Sequence, residues 1–114
     1  MYNHGFKESD WKLFRKKIGG WQESYMDSLI KKYIELLSGE GNPSDKFWGL
    51  NDRLKEDKKC KGVRARMSRS EMLFNILELL REGVITQDDL SDFSDELKNS
   101  IMAFTDRNFL SYDD

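Results

Sequence analysis

The sequence predicts an all-α domain: a compact bundle of four to five mostly antiparallel helices joined by short loops. Three observations carry that prediction. Apolar residues recur at spacings of three and four in five successive segments, the period of a helix face. The breaks between segments hold six of the eight glycines and the single proline, Pro43. The one alternating stretch, GVRARM, is too short to build a sheet and reads as an extended linker.

The first segment, SDWKLFRKKIGG, opens on a capping Ser9, with Asp10 where a helix N-terminus favours an acid. Trp11, Phe14 and Ile18 form one stripe, and Gly19 and Gly20 are expected to end or bend the helix. In the second, WQESYMDSLIKKYIELL, Trp21, Tyr25, Leu29 and Tyr33 recur every four residues beside Met26, Ile30, Ile34 and Leu37. That stripe is wide enough for the central helix of a bundle, and GEGNPS after it reads as a loop.

The third segment starts at a capping Ser44 and places Phe47, Leu50 and Leu54 on one face. Trp48 lies one position off that row, so it is expected to be partly exposed and open to a partner. The helix should continue as a solvated basic end to about Lys59, with Gly62 as the break. In the fourth, SRSEMLFNILELLREG, Ser68 and Glu71 have capping-box spacing and Gly83 is a natural C′ residue. Its two aliphatic rows, Met72–Ile76–Leu79 and Leu73–Leu77–Leu80, mark the most buried helix.

The fifth segment runs from Thr86, a cap, through Leu90, Phe93, Leu97, Ile101 and Phe104. Ser91 and Ser94 can each cap a new helix. One continuous helix, or a short turn followed by a helix from Ser94, both fit. The reading is a single domain over 1–114, frayed at about 1–8 and 106–114.

A chain of 114 residues suits one domain, with a radius of gyration of roughly 13 Å if compact. Its 12% aromatic content argues against disorder, and 35% charged residues suit a wide solvated surface. The single thiol, Cys60, is usual in a reducing compartment. The chain does not open on an apolar run of signal-peptide length, and no stretch approaches the eighteen or so apolar residues of a membrane span. The expected location is the cytoplasm.

The net charge of −2 hides an asymmetry. Residues 53–70, RLKEDKKCKGVRARMSRS, hold eight Lys or Arg against two acids, a sum of +6. Residues 71–114 hold three basic side chains and eleven acids, a sum of −8. Residues 1–52 balance at eight of each. Any affinity for a polyanion must therefore be local.

Catalytic patterns are sparse. His4, the lone histidine, sits near the N-terminus, and one Cys with one His cannot make a usual zinc site. No glycine-rich phosphate loop occurs. Asp88, Asp89, Asp92, Asp95 and Glu96 lack calcium-loop spacing and read as a solvated acidic face. Lys58, Lys59 and Lys61 surround Cys60 and would favour its thiolate, although an incidental exposed thiol is the simpler reading. No catalytic, cofactor or metal residue is assigned, and neither an enzyme nor a small-molecule ligand is expected.

The candidate binding residues are Arg53, Lys55, Lys58, Lys59, Lys61, Arg64, Arg66 and Arg69. Lys55, Lys58 and Lys59 cluster on one helix side, and Arg64 and Arg66 point together from an extended linker. The following helix, rich in Met, Ile and Leu, is a poor DNA-recognition helix, and the basic stretch lacks the interleaved aromatics of an RNA module. Three fates compete for the stretch: internal pairing with the acidic third, a protein partner, or nucleic acid. The expected function is a protein-interaction or regulatory module, with a protein partner or a second copy. The alternative is a nucleic-acid-associated accessory protein.

The words WKLFRKKIGGWQESYMDSLIKKYIELL, NPSDKFWGLNDRLKEDKKCKGV, MSRSEM and ITQDDLSDFSDEL resemble a group of short Firmicutes proteins of unknown function, over about residues 3–103. Members are sometimes labelled multidrug transporters, a label that no span-length apolar segment here supports. The resemblance implies a bacterial host and a small helical fold, and it supplies no functional residues.

Overall fold

One helix, α1 (Glu8–Ser38), runs unbroken for 31 residues in the computed structural model, which describes residues 6–105. At about 1.5 Å per residue it is roughly 46 Å long, most of the 53 Å longest extent. The expected break at Gly19–Gly20 does not occur. Each glycine costs about 1 kcal/mol in a helix interior, but the apolar stripe keeps its phase across the pair. Ile18 and Trp21 are three apart, and Trp21 packs on Phe14 and Phe93. Contacts on both sides of the glycines hold the helix through them.

The core gathers around the N-terminal half of α1. Phe6, Trp11, Phe14 and Ile18 pack with α3 (Met72–Arg81), α4 (Asp95–Phe104) and the segment between them. Phe14, Ile76, Leu79, Leu90, Leu97 and Ile101 are wholly buried. The two aliphatic rows of α3 go where their spacing predicts. Buried Phe6 lies within the stretch expected to fray, while residues 1–5, His4 among them, and 106–114 fall outside the described residues.

The fifth segment is split. A 3₁₀ turn, Gln87–Leu90, opens with a capping box between Thr86 and Asp89, and α4 starts after Ser94, whose hydroxyl accepts from the Leu97 amide at 3.2 Å. Other caps differ from expectation. Lys7 precedes α1, and Asp10 serves a different helix: its carboxylate accepts from the Ser94 amide at 2.9 Å and the Ser94 hydroxyl at 2.5 Å. Ser68 and Glu71 form no capping box, because a 3₁₀ turn, Arg69–Glu71, takes the place of the first helical turn. Asn42, not Ser44, is the N-cap of α2 (Pro43–Asp57), with Pro43 in its first turn. That helix ends at Asp57, short of Lys59.

The largest departure is α2 itself. It returns along the C-terminal half of α1 and buries none of its residues. The two helices form an arm beside the core, so the radius of gyration is 16.9 Å against roughly 13 Å for a compact chain of this length. The second segment is therefore not the central helix of a bundle. Its period shows which side of the helix is apolar and says nothing about what covers that side.

Two glycines are fixed by geometry. Gly83 ends α3 with φ +78°, the left-handed value that glycine adopts without strain. At Gly62 a Cβ would fall 2.7 Å from Val84 Cγ2 and 2.9 Å from Tyr25 Cε2, so only a bare backbone passes between α1 and the end of α3. Among the described residues there is no strand, and no helix is long and apolar enough to cross a membrane.

Candidate functional site

The arm carries the first unusual surface. Around α1, Leu36, Leu29, Tyr33, Met26, Leu37, Ile30 and Ile34 follow one another over roughly half the circumference at 3.6 residues per turn. Leu29 is buried, Tyr33 and Leu36 are half-buried, and Ile30, Ile34 and Leu37 stay exposed. On α2, Phe47 is 63% exposed, Trp48 60% and Leu54 39%. Phe47 and Trp48 meet edge to face at 5.0 Å. Trp48 thus has the exposure its off-row position predicts, while Phe47, on the row, is no better covered. An apolar groove of about 190 Å³ lies between the helices, lined by Met26, Ile30, Tyr33, Leu54, Lys58 and Val63 among others.

The second surface adjoins it. After α2 the chain crosses back along residues 58–68, and its backbone is pinned at three points. The Glu82 carboxylate accepts from the amides of Lys61 at 2.9 Å and Gly62 at 3.1 Å. The Lys61 carbonyl accepts from Gln22 Nε2 at 2.9 Å, and the Arg66 carbonyl accepts from Asn75 Nδ2 at 2.9 Å. Held this way, the linker turns Lys55, Lys58, Lys59, Lys61, Arg64 and Arg66 around one open depression of about 710 Å³. Lys58 lines both the groove and the depression.

Six of the eight sequence candidates converge there, and two do not. Arg53 does not line the depression. Arg69 reaches back to α1, where Nε and Nη2 donate to the two Glu8 oxygens at 3.0 and 2.7 Å and the guanidinium lies 5.6 Å from the Trp11 ring centroid. Its hydrogen bond holds the Glu8 carboxyl below the usual carboxylate range. Arg69 belongs to the core's edge.

No acid of the acidic third forms an ion pair, among the described residues, with the depression's basic side chains. Among the described residues its acids pair with Lys7, Lys17, Arg81 and Lys98. Of the six depression cations only Lys59 makes an ion pair among the described residues, with Glu56 in the last turn of α2, and Lys61 sits 5.4 Å over the Phe74 ring. The Glu82 carboxylate reaches the stretch but grips backbone amides. The cations are left facing solvent.

Cys60 is not activated by its lysines. Partial burial, then the Glu82 charge, raise the thiol above its ordinary value, and its neighbour is the Tyr25 hydroxyl at 3.9 Å. Burial, followed by the Cys60 contact, pushes Tyr25 up to about 12. Burial, then the 2.5 Å bond to Asp57, does the same for Tyr33. A raised folded-state value means the neutral phenol favours the fold. That stability is complete below pH about 10 and is lost as pH rises through about 12. Ultraviolet titration should show two tyrosines ionising near 12 together with loss of the arm. Both ionising at the ordinary value would place them in free solvent.

A third surface is an apolar groove of about 460 Å³ lined by Phe6, Leu73, Phe74, Leu77 and Phe104. Among the described residues no group of three or more His, Cys, Asp or Glu is placed to hold a metal ion. Comparison with protein-family models, with curated proteins and with solved structures finds no match for the chain.

Sequence reasoning missed the extent of the apolar arm face and the Glu82 clamp. The first had a signal: the second and third segments together hold more apolar stripe than two packed helices bury. The clamp had none, since a carboxylate binding amides twenty residues away leaves no period.

Proposed function

We propose that this chain is a small, non-catalytic protein-interaction module that docks its partner on the apolar face of the α1–α2 hairpin. One observation carries the reading: Ile30, Ile34, Leu37, Phe47, Trp48 and Leu54 are each 39–63% exposed on one two-helix arm, with Ile30 and Leu54 lining its groove and Phe47 packed on Trp48. Isolated exposed apolar residues are ordinary, but a contiguous patch of several hundred Å² marks an interaction surface. The groove runs into the basic depression at Lys58, so the partner this surface fits has an apolar helix face flanked by acids. The reading places the protein in the cytoplasm of a bacterium.

A photoreactive amino acid in place of Trp48 should form a discrete adduct with a protein in living cells. Ile34→Glu should remove that adduct and weaken binding at least about tenfold, the scale of an interface hot spot. An adduct that survives Ile34→Glu, or equal labelling from a probe at Asp88, would contradict the reading.

A second reading has its own support. Six cations around a depression with a pinned backbone, five of them without an ion pair among the described residues, suit phosphate. Labelled random DNA and RNA, titrated across a salt series, should then bind with a steep salt slope that is lost when Lys58, Lys59, Arg64 and Arg66 become Ala. No binding at low salt removes this reading.

A further inference from the structure

We infer that the occupant of the hairpin face is a second copy of this chain, docked antiparallel, so that the tip of each hairpin sits on the basic depression of the other. The inference rests on the docking reading and names the partner. The surface calls for an apolar helix face flanked by acids, and the hairpin itself is one. Residues 35–46, which form its tip, hold Glu35, Glu40 and Asp45, all exposed, against one base, Lys46, whose side chain lies beside Gly41. Residues 55–66, at its base, hold six basic side chains and two acids.

Two identical faces can meet about a twofold axis in two ways. With the arms parallel, acidic tip meets acidic tip and basic depression meets basic depression. With the arms antiparallel, each tip meets a depression, twice over, and the middle of the face, near Ile30 and Ile34, lies close to the axis. Like charges in contact oppose the first arrangement and opposite charges favour the second.

The size is also right. A stable interface takes about 800 Å² from each partner. The uncovered apolar face, six large side chains each 39–63% exposed, supplies its centre. The tip–depression contacts supply the polar rim that surrounds such a centre. Two hairpins packed this way make a four-helix layer, the arrangement that the paired stripes of α1 and α2 lack within one chain.

Sedimentation equilibrium of the full chain, from micromolar to millimolar concentration, tests this. A monomer–dimer equilibrium that weakens with salt is expected. Ile34→Glu should weaken it at least about tenfold. Glu40→Lys with Asp45→Lys should also weaken the dimer, and adding Lys58→Glu and Arg64→Glu to that chain should restore it. These positions are exposed, and circular dichroism of each variant confirms the fold.

Parallel arms predict no loss on reversing the tip and no rescue, and that result overturns the inference. So does a dimer indifferent to Ile34→Glu. A chain that stays monomeric at millimolar concentration overturns it too. If the Trp48 adduct to another protein persists in that monomer, only the second copy is excluded and the docking reading stands. If the adduct is also absent, both fall.

Discussion

Replacing Phe14 by Ala should lower the unfolding free energy by about 3–5 kcal/mol, whereas replacing Phe47 by Ala should change it by no more than about 1 kcal/mol. The two side chains are chemically identical and both lie on helical apolar stripes. Phe14 has no exposed surface, stacks with Trp11 at a centroid distance of 6.1 Å and meets Trp21 edge to face at 6.2 Å. Removing it leaves a cavity inside the only large apolar cluster among the described residues. Phe47 is 63% exposed and touches Trp48 on the same helix. Urea unfolding of both variants, with the slope checked for constancy, makes the comparison. At a concentration where the chain is monomeric, equal losses would mean that the arm is covered within the monomer.

The second large effect is polar. Asp10→Ala should cost about 2–3 kcal/mol, the range for hydrogen bonds to a charged group with the orphaned partners left behind. Asp10 is 2% exposed, and its two oxygens take the amide and the hydroxyl of Ser94, 84 residues away. The carboxylate also sits at the start of α4, where the helix dipole favours negative charge. It therefore ties the first turn of α1 to the last helix of the core. Ser94→Ala should cost less, because it keeps the amide bond. A double-mutant cycle between the two positions should return a coupling energy above about 1 kcal/mol. Additive losses would mean that Asp10 acts through some other contact.

These two residues also mark how far the sequence is legible. Phe14 is found by period alone, and so are the aliphatic rows of α3 and the stripe of α4. Local spacing decides which side of a helix is apolar, and in a chain this short most apolar sides meet in one core. Asp10 reads as a local helix-start acid, because the sequence does not say that its partner lies 84 residues on. The same blindness explains Arg69, which the linear basic cluster groups with Arg64 and Arg66. Its fork fits Glu8, 61 residues away, and that pairing removes it from the depression.

The arm was half legible. The stripes of the second and third segments are plain, and so is the off-row position of Trp48. Their exposure is not, because a stripe looks the same whether a neighbouring helix or a partner covers it. The six cations converge because residues 55–66 are close in sequence and, among the described residues, none of these side chains forms an ion pair with the acidic third. The clamp that sets this turn, Glu82 on the Lys61 and Gly62 amides, depends on a contact between the linker and the end of α3. It leaves no trace in spacing.

Oxidative footprinting of the unmodified chain, read by mass spectrometry as the protein is taken from dilute to assembled, addresses the docking face most directly. Dilute protein should react at Phe47 and Trp48 and stay protected at Trp11, following their exposures. On assembly, protection should appear at Ile34, Leu37, Phe47 and Trp48, while Met67 and Phe74, exposed elsewhere, keep their reactivity. Protection that gathers instead around Phe74 and Phe104, with Trp48 still reactive in the assembled state, would contradict the account and move the docking surface to the groove beside α3.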